Sequence, residues 1–98
     1  MNRSILDTEA GVSMFKALSD ESRIRIMLAL RDRELCVCQM VNLLGLTPPT
    51  VSRHLQILRE AGLINGVKKG RWVYYQFSSK PRHIEVHALL EPLLDVIA

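Results

Sequence analysis

The residues with the most chemistry to offer are the only two cysteines, Cys36 and Cys38, separated by Val37 and preceded by Glu34. Thiolates are nucleophiles and soft-metal ligands, and a helix N-terminus lowers a thiol's pKa. In a reducing compartment such a pair is not expected to be a structural disulfide, which leaves a thiophilic ion or an oxidant as its partner. Residues i and i+2 of a regular helix point about 200° apart, so both sulfurs reach one ion only if the first turn unwinds. Such unwinding would give a ligand different affinities for two states of the protein.

A second group of residues is polar and basic. If Val51, Leu55 and Leu58 form a buried stripe, the helical step turns Pro49, Ser52, Arg53 and Gln56 outward, with Thr50 at the same end. Arg donates two hydrogen bonds to guanine and Gln pairs with adenine, while Thr50 and Ser52 suit phosphates or less selective base contacts. Lys68, Lys69 and Arg71 follow, a basic cluster fit for phosphate or minor-groove contacts. Taken singly, each feature is an ordinary solvated surface. Together, an outward Arg on a capped helix between a tight turn and a basic hairpin points to nucleic acid. His54 is expected to pack or meet a phosphate, and the Trp72–Phe77 aromatics to pack in the core and hairpin. His83, His87 and Glu91 stand at i+4 spacings compatible with Zn(II), although a solvated or dimer-facing surface explains them more simply. No glycine-rich phosphate loop, paired acid–base element or Cys-x-x-Cys motif accompanies the cysteines, so the chain does not read as an enzyme.

Five helices and one hairpin are needed to position these groups. The first helix is predicted over Ile5–Leu18, with Val12, Phe15 and Leu18 inward. Ser19 or Asp20 caps the second, which buries Ile24, Met27 and Leu28 and is apolar on further sides through Ile26 and Leu30. A short helix from Val37 to Leu44 closes on Gly45. Thr47 is expected to cap the next helix through the Thr50 N–H, with Pro48 and Pro49 in its first turn and Gly62 as its stop. Strands Ile64–Lys68 and Arg71–Phe77 flank a Lys69-Gly70 turn. A last helix starting near Pro81 carries Val86, Leu90, Leu93 and Ile97, interrupted by Pro92.

At 98 residues, 48% of them apolar, residues 1–98 are expected to form one domain. A core this small leaves room for completion by a partner chain, and the net charge of +3 leans toward an anionic partner. No apolar run is long enough to span a bilayer, and the first residues lack a signal peptide's apolar stretch, so no membrane partner and a cytoplasmic location are expected.

The run Glu34-Leu35-Cys36-Val37-Cys38, followed by Leu44-Gly45-Leu46, Thr50-Val51-Ser52-Arg53-His54-Leu55 and Leu58-Arg59-Glu60-Ala61-Gly62-Leu63, resembles the ArsR/SmtB family of metal-responsive repressors. Ser19-Asp20-Glu21-Ser22-Arg23 and Gly70-Arg71-Trp72-Val73-Tyr74-Tyr75 are similar to that family as well. The resemblance implies a mostly α fold with a small β-hairpin (α+β), a winged helix-turn-helix. It implies a homodimer joined by its terminal helices, which represses an inverted-repeat operator in double-stranded DNA until a metal or metalloid binds. It is strongest with the arsenic-responsive branch, in which the thiolates corresponding to Cys36 and Cys38 bind the inducer, As(III) or Sb(III). A third thiolate often completes such sites, and here the matching position is Val41. Cd(II), Pb(II) or Zn(II), or thiol oxidation, stand as the alternative inputs. Pro48 and Pro49 replace residues that are commonly polar in the family, so contact with thymine methyls replaces some hydrogen bonds.

Overall fold

The structure, a computed structural model, describes residues 8–78, 88 and 90–96. In chain order it contains α1 (Thr8–Leu18), α2 (Glu21–Ala29), β1 (Leu35–Cys36), α3 (Val37–Leu44), α4 (Pro48–Glu60), β2 (Ile64–Lys69) and β3 (Trp72–Phe77). A further helical segment, α5, covers residues 90–96. The expected helix starts at Ile5 and Pro81, together with Val86, Ile97, His83 and His87, lie outside the described residues.

Local chemistry accounts for most of the boundaries. Asp20 caps α2, its carboxylate accepting from the Arg23 N–H at 3.1 Å. That amide is the main cause holding the Asp20 carboxyl below its ordinary pKa. Gly45 ends α3 at φ 69°, in the left-handed region where a side chain is strained. At the end of α4 the Gly62 N–H donates to Arg59 O at 2.9 Å and the Leu63 N–H to Leu58 O at 3.0 Å. This paired closure, with Gly62 at φ 80°, is a Schellman motif. Pro48 and Pro49 occupy the first turn of α4 as expected. Thr47 differs from expectation: its hydroxyl bonds the Thr50 hydroxyl at 2.8 Å and makes no cap bond to an amide.

Met27, Met40, Val51, Leu55, Leu58 and Leu63 fill the core that α2, α3 and α4 share. In α2 it is Ile26, Met27 and Leu30 that are buried, with Ile24 and Leu28 partly covered. In α1 the inward side is Met14 and Ala17, not Val12 and Phe15, which are 45% and 70% exposed. Both stripes have the same spacing, and periodicity identifies an apolar face without saying which neighbour covers it. In α5, Leu90 and Leu94 are buried while Leu93 and Val96 are exposed, and the helix continues through Pro92. Arg31 anchors this segment, pairing with Glu91 at 2.8 Å and with Asp95.

The sheet has three antiparallel strands in the order β1-β3-β2, so β3 lies in the middle. Its third strand, β1, is too short to show alternation and was not anticipated from the sequence. The hairpin turn is Gly70-Arg71, one residue later than expected, because Lys69 pairs with Trp72. Gly70 has φ 64° and Arg71 does not, which is the pattern a type II′ turn requires. A Lys69-Gly70 turn would instead start on a lysine, the residue less able to take positive φ there.

Candidate thiol site and nucleic-acid interface

Cys36 is at once the end of β1 and the N-cap of α3, with extended backbone at φ −90° and ψ 170°. Because it precedes the helical geometry, the expected divergence of the two side chains does not arise. The sulfurs of Cys36 and Cys38 lie 2.9 Å apart without any unwinding. Cys36 is buried and Cys38 exposed, so the pair has one open side. The Gln39 side chain accepts from the Cys36 N–H at 2.9 Å, and the Cys36 sulfur faces the Gln39 N–H in return. This is a capping box with sulfur in place of the usual hydroxyl.

The same contacts divide the charge. A hydrogen bond from the Cys38 thiol, helped by the amides of Gln39 and Cys38, pushes Cys36 below the ordinary thiol range against the penalty of burial. Donating that bond, together with desolvation and the neighbouring thiolate, pushes Cys38 up. The pair therefore holds one proton between two sulfurs over a range of pH. The donor set fits a thiophilic ion. Tetrahedral sulfurs about 2.3 Å from a zinc-sized ion lie roughly 3.8 Å apart, so closure from 2.9 Å needs only a small parting. Among the described residues no third Cys, His, Asp or Glu joins them. Glu34 is turned away into an ion pair with Lys69.

On α4, Val51, Leu55 and Leu58 are buried while Pro49, Thr50, Ser52, Arg53 and Gln56 are exposed. The expected outward set thus lies on one accessible side. Arg53 has no hydrogen-bond or ion-pair partner among the described residues, whereas Gln56 donates to Glu60 at 3.1 Å. His54 is half-buried, its Nδ1 3.1 Å from the Arg23 guanidinium, which also donates to the Ala17 carbonyl at 2.6 Å. It therefore belongs to a junction among α1, α2 and α4.

The β2–β3 wing carries Lys68 and Arg71 without partners among the described residues, while Lys69 is held by Glu34 and sits 5.7 Å from the centre of the Tyr74 ring. Tyr75 and Phe77 pack on the core as expected. Trp72 does not, being 54% exposed. Sequence reasoning missed this residue and the Glu34–Lys69 pair. An alternating strand pattern that put Trp72 and Tyr74 opposite Val73 and Tyr75 was the available signal for the first.

Residues 20–66, from the α2 cap into β2, match the family described as "Bacterial regulatory protein, arsR family". The chain is 42% identical to the "Arsenic resistance transcriptional regulator ArsR1" of Pseudomonas putida, over 84% of this chain and 64% of that protein. Against the solved structure of reduced HlyU from Vibrio cholerae the identity is 31%, the TM-score 0.74, and the match covers 95% of this chain and 97% of that one. The chain belongs to the ArsR family. A homodimeric winged helix-turn-helix DNA-binding domain from Mycobacterium bovis, Mb0332, gives a TM-score of 0.80 at 24% identity, covering 97% and 87% of the two chains. That likeness is one of fold. This ArsR-family chain spans under two thirds of the Pseudomonas relative's length. No described helix is long and apolar enough to cross a membrane.

Proposed function

We propose that this ArsR-family chain is a transcriptional repressor that binds operator DNA as a homodimer and releases it when As(III) or Sb(III) takes the thiolates of Cys36 and Cys38. The observation that carries the reading is a sulfur pair 2.9 Å apart at the N-cap of α3, the helix that leads through Gly45 into α4. The arsenic-resistance name of the Pseudomonas relative supports the choice of ion.

In this reading α4 enters the major groove by its N-terminal end. Arg53 takes a guanine edge, Gln56 leaves Glu60 for an adenine, and Thr50 and Ser52 hold phosphates. Pro49 meets a thymine methyl, and Lys68, Lys69 and Arg71 contact the backbone from the wing. The exposed apolar side chains Val12, Phe15, Leu93 and Val96 supply the dimer surface. Glu91 is already committed to Arg31, which weighs against a His83–His87–Glu91 zinc site as the input.

Release follows from what the sulfurs do before a ligand arrives. Cys36, on giving its sulfur to an ion, stops accepting from Cys38 and from the first turn of α3. Two routes then reach the DNA surface: α3 packs on α4, and β1 pairs with β3 at Tyr74 and Tyr75. Cys38 must lose its proton, so binding weakens at low pH. The separation of the sulfurs also favours a second reading, oxidation. The Cys36 thiolate attacks peroxide, forming a sulfenic acid and releasing hydroxide, and Cys38 then displaces water to give the disulfide.

One release assay distinguishes these inputs: purified protein on its operator, challenged with As(III), Sb(III), Cd(II), Pb(II), Zn(II) and peroxide. Release at the lowest concentrations by As(III) and Sb(III) is the expected result. Release by peroxide alone would give the site to redox sensing, and indifference to all six would remove the thiol input.

A further inference from the structure

Trp72 is the only tryptophan in the chain and stands at the base of the Gly70-Arg71 turn, 54% exposed, beside the 38% exposed Val73. Its exposure is fixed by the sheet. The Lys69↔Trp72 and Gly66↔Tyr75 register puts Trp72 and Tyr74 on one face and Val73 and Tyr75 on the other. A Cβ on Gly66 would stand 2.9 Å from Val73 Cγ1 and 3.1 Å from Tyr75 Cε1, so those two side chains lean across the glycine. Tyr75 packs against the core, and the alternation then carries the indole to the far face. No described hydrogen bond engages its N–H.

The surroundings of the indole are cationic. Lys69 is its cross-strand partner and Arg71 precedes it, while Lys68, paired with Val73, adds a cation on the opposite face of the same wing. Lys68 and Arg71 have no acidic partner among the described residues, and the one nearby carboxylate, Glu34, is taken by Lys69. An apolar ring with a free N–H donor, flanked by Lys69 and Arg71 at the wing tip, complements a polyanion whose sugars offer apolar surface between its phosphates.

We infer that Trp72 is a DNA-contacting residue of the wing: its ring packs on the deoxyribose surface beside the α4 site while the flanking cations hold the phosphates. The inference rests on the operator-binding reading and adds a contact that involves no charge. A cation bound to phosphate releases counterions and steepens the salt dependence, whereas a packed indole adds affinity at every salt concentration alike.

The test uses the full chain and a mixed-sequence duplex of about 30 base pairs, roughly three helical turns. Affinity is measured across a salt series and the tryptophan emission is followed at saturation. Trp72→Ala is expected to bind about tenfold more weakly with an unchanged slope of log K against log salt, and Trp72→Phe to recover most of the loss. Lys68→Ala is expected to flatten the slope by about 0.9. Parent emission should change on binding. An unchanged emission with Trp72→Ala binding as tightly as the parent would overturn the contact while leaving DNA binding intact. A parent that binds no duplex even at the lowest salt of the series would remove both the contact and the DNA-binding reading beneath it. An emission change with protein concentration alone, without DNA, would assign Trp72 to self-association and also overturn it. Circular dichroism of both Trp72 variants matching the parent keeps a folding defect from mimicking the result.

Discussion

Around the cysteines the polar groups are already committed: the Cys36 and Cys38 sulfurs share a hydrogen bond, the Cys36 amide donates to Gln39, and neighbouring Glu34 is paired with Lys69. Around α4 and the wing tip they are not, since Arg53, Lys68 and Arg71 have no partner among the described residues and Trp72 stands half in water. The two regions lie within one helix-turn-helix and its wing, yet in one the polar groups are paired internally and in the other they are left open. On the operator-binding reading, a surface that must meet base edges and phosphates gains by keeping its donors free. A site that must switch gains by having contacts to lose, because a ligand shifts an equilibrium only through interactions that differ between its two states.

Changing the open region should cost DNA affinity and nothing else. Arg53→Ala is expected to weaken operator binding by about 1–3 kcal/mol and to relax preference at one base position, with thermal stability unchanged. Selection from a randomised duplex library checks this, and unaltered preference would move the readout elsewhere on α4. Changing the organised region should do the reverse. Gln39→Ala removes half of the capping box, and an unfolding titration is expected to show a loss of about 1 kcal/mol with operator affinity little changed before inducer is added.

The charge division between the thiols sharpens the contrast further. Cys36 is held below the ordinary thiol value, so its share of stability is full above that value and is lost as pH falls through the folded one. Cys38 is raised, so its share is full below the ordinary value and is lost as pH rises through the folded one. Thiolate absorbance should therefore show two separated titrations in the parent. Cys38→Ala should show one, at higher pH than the parent's first step. A single step at the same pH as that first step would mean that Cys38 does not donate to Cys36. The smallest effect is expected from Glu34→Gln, which removes an exposed ion pair worth less than about 1 kcal/mol and frees Lys69 for DNA. Stability should scarcely move, and affinity should rise slightly at low salt.

The parts legible in the sequence were those written in local chemistry. Pro48-Pro49, Gly45, Gly62 and the Val51–Leu55–Leu58 stripe mark the ends and the buried side of α4 by rules that act within one turn. What was not legible depended on partners distant in the chain. Two adjacent residues carry no period, so β1 emerges only from its pairing with Tyr74 and Tyr75. The position of the Cys36 sulfur followed from β1: with Cys36 extended instead of helical, the pair is already closed. Val12 and Phe15 had the spacing of a core stripe, but Met14 and Ala17 are the residues buried in their place. The hairpin turn slipped by one residue because Lys-Lys-Gly-Arg can be cut in two ways, and the conformational needs of Gly70 decide between them.

The central claim is that the paired thiols are the input and the α4 and wing surface the output. It is tested most directly by operator release under As(III), with Cys36→Ser and Cys38→Ser set beside a His83→Ala, His87→Ala double variant. All three should fold, dimerise and bind operator nearly as the parent does. As(III) should weaken the parent's binding roughly 5- to 150-fold and do the same to the histidine variant, while leaving both serine variants bound, since oxygen is a poor substitute for thiolate toward a soft ion. Release of either serine variant at the parent's As(III) concentration, or loss of the response only in the histidine variant, would contradict it.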